Sequence, residues 1–206
     1  PNFIETFGQA LERLREVFLS PNGQPFVVAG SGTLAMDMPA ANLIEPGDKA
    51  LVLNTGYFSD RFSAVLERYG ADVSQVRPPV IGGVPSLGEV EAALKEGAYK
   101  LMTITHVDTS TGVSTDIKGL AALGREYGAL VVVDGVCSVA GEEMRQEEWG
   151  IDVALTASQK AIGVPPGLAI VVAGPRAMDA FRKRQTPVSN YYADWERPPQ
   201  NLYHQN

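Results

Sequence analysis

The chain has 206 residues, 45% of them hydrophobic and 20% charged, a balance that fits a globular fold with room for one substantial α/β core. Its 17 Lys and Arg stand against 24 Asp and Glu, a formal charge of −7. With no cluster of basic residues, that balance argues against a nucleic-acid binder and against docking on an anionic membrane surface. The single cysteine, Cys137, leaves no intrachain disulfide, which fits a reducing compartment, and no apolar run reaches the roughly 20 residues that span a bilayer.

Pro1 stands where an initiator Met would, and an amphipathic helix begins almost at once. Phe3, Phe7, Ala10, Leu11, Leu14, Val17 and Phe18 recur mostly at steps of three and four, one apolar stripe. A stripe ready at residue 3 reads as belonging to a cut or processed N-terminus. Short apolar runs then alternate with helical patterns: strands are expected at 26–29, 50–53, 72–76, 101–106, 129–134, 153–156 and 168–173, helices near 33–43, 60–69, 86–95 and 117–127. Pro46-Gly47, Gly82-Gly83 and Pro165-Pro166-Gly167 mark turns, and Tyr127-Gly128 reads as a helix end with its glycine cap. The alternation predicts an α/β three-layer sandwich with a mostly parallel central sheet. Val131-Val132-Val133 lacks polar alternation, as a doubly covered strand should. From Gln185 onward the pattern turns irregular, and the domain is expected to run over 1–192 with a tail at 193–206.

Ligands of such sheets bind where the strands end, and three strand ends carry candidate chemistry. Gly30-Ser31-Gly32-Thr33 follows a strand and opens a helix, so free N–H groups and a positive dipole end would meet an anion there. It lacks the Gly-Lys-Ser/Thr of a Walker loop, and Ala35 takes the third glycine position of G-x-G-x-x-G; a tight turn with a Ser/Thr cap is the alternative. Asp134 closes Val131-Val132-Val133, where a buried carboxylate needs a cation or donors, either a ligand's or those of a cap or structural salt bridge. Lys160 follows Thr156-Ala157-Ser158-Gln159 and precedes an apolar loop. A desolvated lysine there can attack a carbonyl, the alternative being a lysine that snorkels to solvent. No cluster of His, Cys and carboxylates has metal-ligand spacing. A phosphate cradle, an acidic partner for a ring nitrogen and a nucleophilic lysine together are the parts that hold pyridoxal 5′-phosphate.

The chain resembles the class V aminotransferases of the fold-type I pyridoxal-phosphate superfamily, and most closely the alanine–glyoxylate and serine–glyoxylate group. The resemblance rests on six stretches in the family's order: 30–33, 56–62, 105–113, 133–138, 148–152 and 157–161 with its following Pro165-Pro166-Gly167. It covers Phe3 to about Tyr192 and implies the fold-type I large domain, the cofactor pyridoxal 5′-phosphate and transamination between alanine or serine and glyoxylate. It implies that Lys160 binds the cofactor covalently and then moves the substrate proton, and that Asp134 keeps the pyridine nitrogen protonated. Ser31, Gly32, Thr33 and Gln159 would hold the phosphate, and Thr109 the phenolic oxygen. Phe58 would stack on one ring face and Val136 pack on the other, although both types also serve as plain core residues. His106 is read as support for the 108–111 loop.

The chain departs from the family in two ways. The family's smaller C-terminal domain, with the arginine that clamps the substrate carboxylate, is not in the sequence; Arg182 and Arg184 are placed on a helix of the large domain. The neighbouring subunit's Tyr-x-x-Thr-Pro-Pro stretch is not matched either, and Tyr203 is left without a role. The isolated chain is therefore expected to be inactive, with Phe3, Phe7 and the 191–195 segment left exposed. A homodimer is implied, in the cytoplasm or in a peroxisomal or mitochondrial matrix. A related lyase or cysteine desulfurase is the alternative, weakened by Gln159 where those enzymes carry His and by Cys137, expected to lie poorly placed beside a buried strand. The other alternative is a non-catalytic truncated domain.

Overall fold

The structure, a computed structural model, describes residues 2–196. Seven strands form one sheet in the order β1-β9-β8-β7-β4-β2-β3: β1 (Gln24–Ala29), β2 (Lys49–Leu53), β3 (Asp72–Val76), β4 (Leu101–Thr105), β7 (Leu130–Asp134), β8 (Val153–Ala157) and β9 (Leu168–Ala173). Strands β3, β2, β4, β7 and β8 pair in parallel, while β9 runs antiparallel to both β8 and β1. The reason lies in chain length: residues 158–167, which join β8 to β9, are too few to carry a crossover helix, so the chain must turn back. All seven expected strands are present. A two-stranded ribbon that the apolar pattern did not show, β5 (Val107–Asp108) with β6 (Val113–Ser114), follows β4 directly.

Side chains alternate across this sheet and feed two cores. Phe26, Val52, Leu101, Val132, Leu155 and Val171 face α2 (Gly32–Leu43), α3 (Tyr57–Arg68) and α6 (Pro175–Arg182). Leu51, Met102, Val131, Val133, Ala154 and Val172 face α4 (Leu87–Glu96), α5 (Ile117–Glu126) and the end of α1 (Asn2–Phe18). The result is the three-layer sandwich expected from the alternation. Helix α4 starts with a capping box in which Ser86 Oγ accepts from Glu89 N and Glu89 reaches back to Ser86 N.

Helix α2 lies between the sheet and residues 190–195 and is buried along most of its length. Its one buried amide is satisfied on both sides: Asn42 Nδ2 donates to the carbonyls of Met38 and Ala193, and Asn42 Oδ1 accepts from Trp195 N. Ala193 and Trp195 are buried, and the Trp195 ring stacks on Phe26 at 5.1 Å between centroids. Packing thus continues past residue 192, and Trp195 does not join the exposed apolar segment expected there, although Tyr191 and Tyr192 do stand exposed. The remainder of the expected tail from Arg197, with Tyr203, and Pro1 lie outside the described residues. Phe18 alone of the α1 stripe is fully buried and Phe3 is 71% exposed, so the stripe exists but only its end meets the sheet. Arg182 ends α6, while Arg184 sits beyond the helix and donates to Ile44 O.

Candidate active site

Strands β1, β2, β4, β7 and β8 all point their carboxyl ends to one edge of the sheet. A cavity of about 230 Å³ opens there. Eight of the nine expected site residues line it: Ser31, Gly32 and Thr33 from the β1–α2 turn, Phe58 from α3, Asp134 and Val136 after β7, and Gln159 and Lys160 after β8. They meet because each stands within a few residues of a strand end or helix start at the same edge. The ninth, Thr109, lies beside the cavity rather than in its wall, with its Oγ1 against Cys137 Sγ.

The β1–α2 turn leaves hydrogen-bond donors open at the start of α2. Ser31 is the N-cap of α2, yet its side chain makes no cap hydrogen bond, and the first turn carries no acidic residue. The hydroxyl and the first N–H groups of the helix are left to face the cavity. A Cβ on Gly32 would stand 3.1 Å from Val136 Cγ2, so a larger residue there needs the valine to give by a few tenths of an ångström.

Asp134 is buried and accepts a hydrogen bond from Val136 N at 3.0 Å. Burial pushes its carboxyl up to about 6. The Val136 N–H opposes this, the nearby Asp108 carboxylate adds to it, and Arg61 and Lys160 pull it back down. Among the described residues no cation pairs directly with this carboxylate, Arg61 and Lys160 acting only at a distance, and a cation entering the cavity would stabilise it. Phe58 is placed from below. Asp108, itself fully buried, accepts from Ser110 N and Ser110 Oγ, and Ser110 Oγ accepts from Tyr57 N at 3.0 Å. The β5–β6 ribbon is thereby pinned to the first turn of α3. Gly56 fits this junction because a Cβ would stand 2.4 Å from Ser110 Oγ.

The His106 backbone N–H donates to Asp134 O and its carbonyl accepts from Thr115 N, while the buried imidazole Nδ1 has no hydrogen-bond partner among the described residues, and burial pushes the imidazole pKa down despite the nearby Glu142. Cys137 differs from expectation. It is half-buried and lines the cavity, because the chain turns sharply after Asp134, with Ser138 N and Val139 N both donating to Gly135 O. Met36, Val107 and Arg61 also line it and went unassigned in the sequence. For Arg61 a signal was present: it stands three residues after Phe58 in a helix, hence on the same face. Among the described residues no group of His, Cys, Asp or Glu could hold a metal ion.

Comparison with known proteins agrees with this fold. The sequence profile of the family Aminotransferase class-V matches residues 2–198. Over 187 residues the chain is 46% identical to alanine–glyoxylate aminotransferase 1 of Saccharomyces cerevisiae, covering 87% of this chain and 49% of that protein. It is 37% identical to L-aspartate–glyoxylate aminotransferase of Paracoccus denitrificans, covering 91% and 48%. The crystal structure of alanine–glyoxylate aminotransferase from Nostoc sp. superposes with a TM-score of 0.91 at 36% identity, over 98% of this chain and 52% of that one. The chain spans about half the length of the relatives it matches, and it belongs to the class-V aminotransferase family.

Proposed function

We propose that this chain is the cofactor-binding part of an aminotransferase that moves the amino group of a small amino acid, alanine or serine, to glyoxylate. The observation that carries the reading is the meeting of Ser31–Thr33, Asp134 and Lys160 in one cavity. Class-V aminotransferases use pyridoxal 5′-phosphate, and the residues present fit it. An uncapped helix start would receive the phosphate, the buried Asp134 feels Arg61 and Lys160 only at a distance, and Lys160 stands half-buried in the wall. When bound, the cofactor supplies an electron sink for the carbanion left on the amino acid's α-carbon.

The chain's own residues do the rest. Lys160 Nζ would hold the cofactor covalently and, when free, would carry the proton from the substrate α-carbon. Asp134 would hold the proton on the ring nitrogen. Phe58 and Val136 would hold the ring, and Gln159 with Ser31, Gly32 and Thr33 would hold the phosphate. Thr109 would hold the phenolic oxygen. The lyase reading is not favoured: Cys137 is locked in the turn after β7 and not carried on a swinging loop. A homodimer is part of the same proposal, supported by the exposed Tyr57 and Ile81 and tested by sedimentation. The test of function is spectroscopic. In a protein of the relatives' full length, loaded with the cofactor, the visible band of the lysine-bound form should appear, disappear on adding alanine and return on adding glyoxylate. A band that alanine leaves unchanged refutes transamination from alanine, and the same scan with serine tests the other donor.

A further inference from the structure

We propose that Arg61 is the cofactor's phosphate counter-charge, a guanidinium on α3 that completes the cradle at the start of α2. The inference rests on the pyridoxal-phosphate reading above and assigns a residue which that reading leaves without a role. The cradle itself supplies neutral donors: backbone N–H groups and the hydroxyls of Ser31 and Thr33. A bound phosphate carries close to two negative charges. Two cationic side chains line the cavity, Lys160 and Arg61, and Lys160 is committed to the carbonyl end of the cofactor.

The placement of Arg61 selects the phosphate end. Its Nη1 donates to Thr33 Oγ1 at 2.9 Å, in the first turn of α2. Its Nη2 donates to Tyr57 OH at 3.0 Å. The guanidinium also lies over the Tyr57 and Phe58 rings, 5.0 and 5.2 Å from their centroids. The two rings fix the plane of the guanidinium. These hydrogen-bond partners are hydroxyls, which leave the charge unneutralised, and an arginine presents five N–H donors, enough for an anion in addition.

The experiment compares pyridoxal phosphate with pyridoxal, which has the same ring and aldehyde but no phosphate. Dissociation constants are measured on cofactor-free protein by quenching of intrinsic fluorescence. Arg61→Gln should weaken pyridoxal phosphate tenfold or more and pyridoxal less than twofold. Arg61→Lys, which keeps the charge and loses the fork, should fall between wild type and Gln. Inorganic phosphate should compete with pyridoxal phosphate on the wild type and markedly less on the Gln variant. Retained binding of pyridoxal shows that a variant is folded; if the Gln variant fails to fold, the Lys variant and the wild-type phosphate competition decide. Equal losses for both ligands, or no loss for either, would each overturn the inference and leave the cofactor reading standing. A wild type that binds neither pyridoxal phosphate nor pyridoxal would overturn both.

Discussion

Strand β7 meets a buried aspartate at each end, and the two are treated differently. At its amino end Asp152 accepts from Val131 N at 2.8 Å, stands 3.3 Å from Arg176 and 3.8 Å from Arg125. Burial still holds its carboxyl above the ordinary range, against the pull of that N–H and both arginines. Arg176 goes on to the carbonyls of Gly128 and Ala129, so the carboxylate ties β7, β8 and α6 together and every partner comes from the fold. At the carboxyl end Asp134 has one hydrogen bond, from Val136 N, and opens into the cavity. Two buried carboxylates thus have opposite uses. The one with ion-pair partners from the fold reads as structural, and the one without a direct ion pair among the described residues is the one proposed to meet a ligand.

The comparison breaks first at the cavity end. Lys160→Ala should abolish covalent cofactor: borohydride reduction followed by mass spectrometry should find no cofactor on the chain, while non-covalent binding partly survives. Cofactor still fixed to the mutant would remove Lys160 from its role. Asp134→Asn should come next, cutting the turnover of the family-length protein with alanine and glyoxylate by about a hundredfold or more, because a neutral amide cannot hold the ring proton. Near-normal turnover would make Asp134 a second structural aspartate and erase the contrast.

The amino end should respond in stability alone. Asp152→Ala leaves Val131 N–H without its acceptor and Arg176 without its counter-charge. Loss of a buried pair costs roughly 3–5 kcal/mol. Arg176 and Arg125 have side chains 33% and 46% exposed, so water recovers part of that and about 3 kcal/mol is expected in urea unfolding. Cofactor affinity measured on the still-folded fraction should change less than threefold. A large change there would mean that the two ends of β7 are coupled.

Much of this site could be read before the structure, for a physical reason. Ser31, Asp134 and Lys160 are local events, each a residue type that is out of place at the end of an apolar run, and a parallel sheet brings strand ends together whatever the details. What escaped depends on partners far along the chain. Trp195 looks like part of a polar tail until Asn42, 153 residues earlier, accepts its N–H. Arg61 looks like an ordinary basic residue on α3 until Thr33, 28 residues away, appears beside it. The β5–β6 ribbon has two residues per strand, too short to show a period. Thr109 and Cys137 come from different loops, 28 residues apart, and no local pattern announces their contact.

The smallest effect separates the two aspartates most cleanly, because its sign is opposite. In the cofactor-free protein the Asp134 carboxyl loses its proton near pH 6, against an ordinary value of 3.8. Between those values the unfolded chain gives up a proton that the folded chain keeps, so stability falls as pH rises through that window and levels off above it. The loss is at most about 3 kcal/mol, and about 2 kcal/mol is expected because water reaches the cavity. Asparagine at 134 accepts the Val136 N–H in the same way and carries no such penalty. Asp134→Asn should therefore stabilise the cofactor-free protein by about 2 kcal/mol at pH 7–8 and by almost nothing near pH 4, where the wild-type carboxyl is protonated in the folded state. Added pyridoxal phosphate should reverse the order at pH 7–8, since a cationic ring nitrogen rewards the carboxylate and not the amide. Urea unfolding from pH 4 to 8, with and without the cofactor, measures both. An Asn variant that is less stable than wild type at pH 8 without cofactor would show that the Asp134 charge already has an internal partner, as the Asp152 charge has.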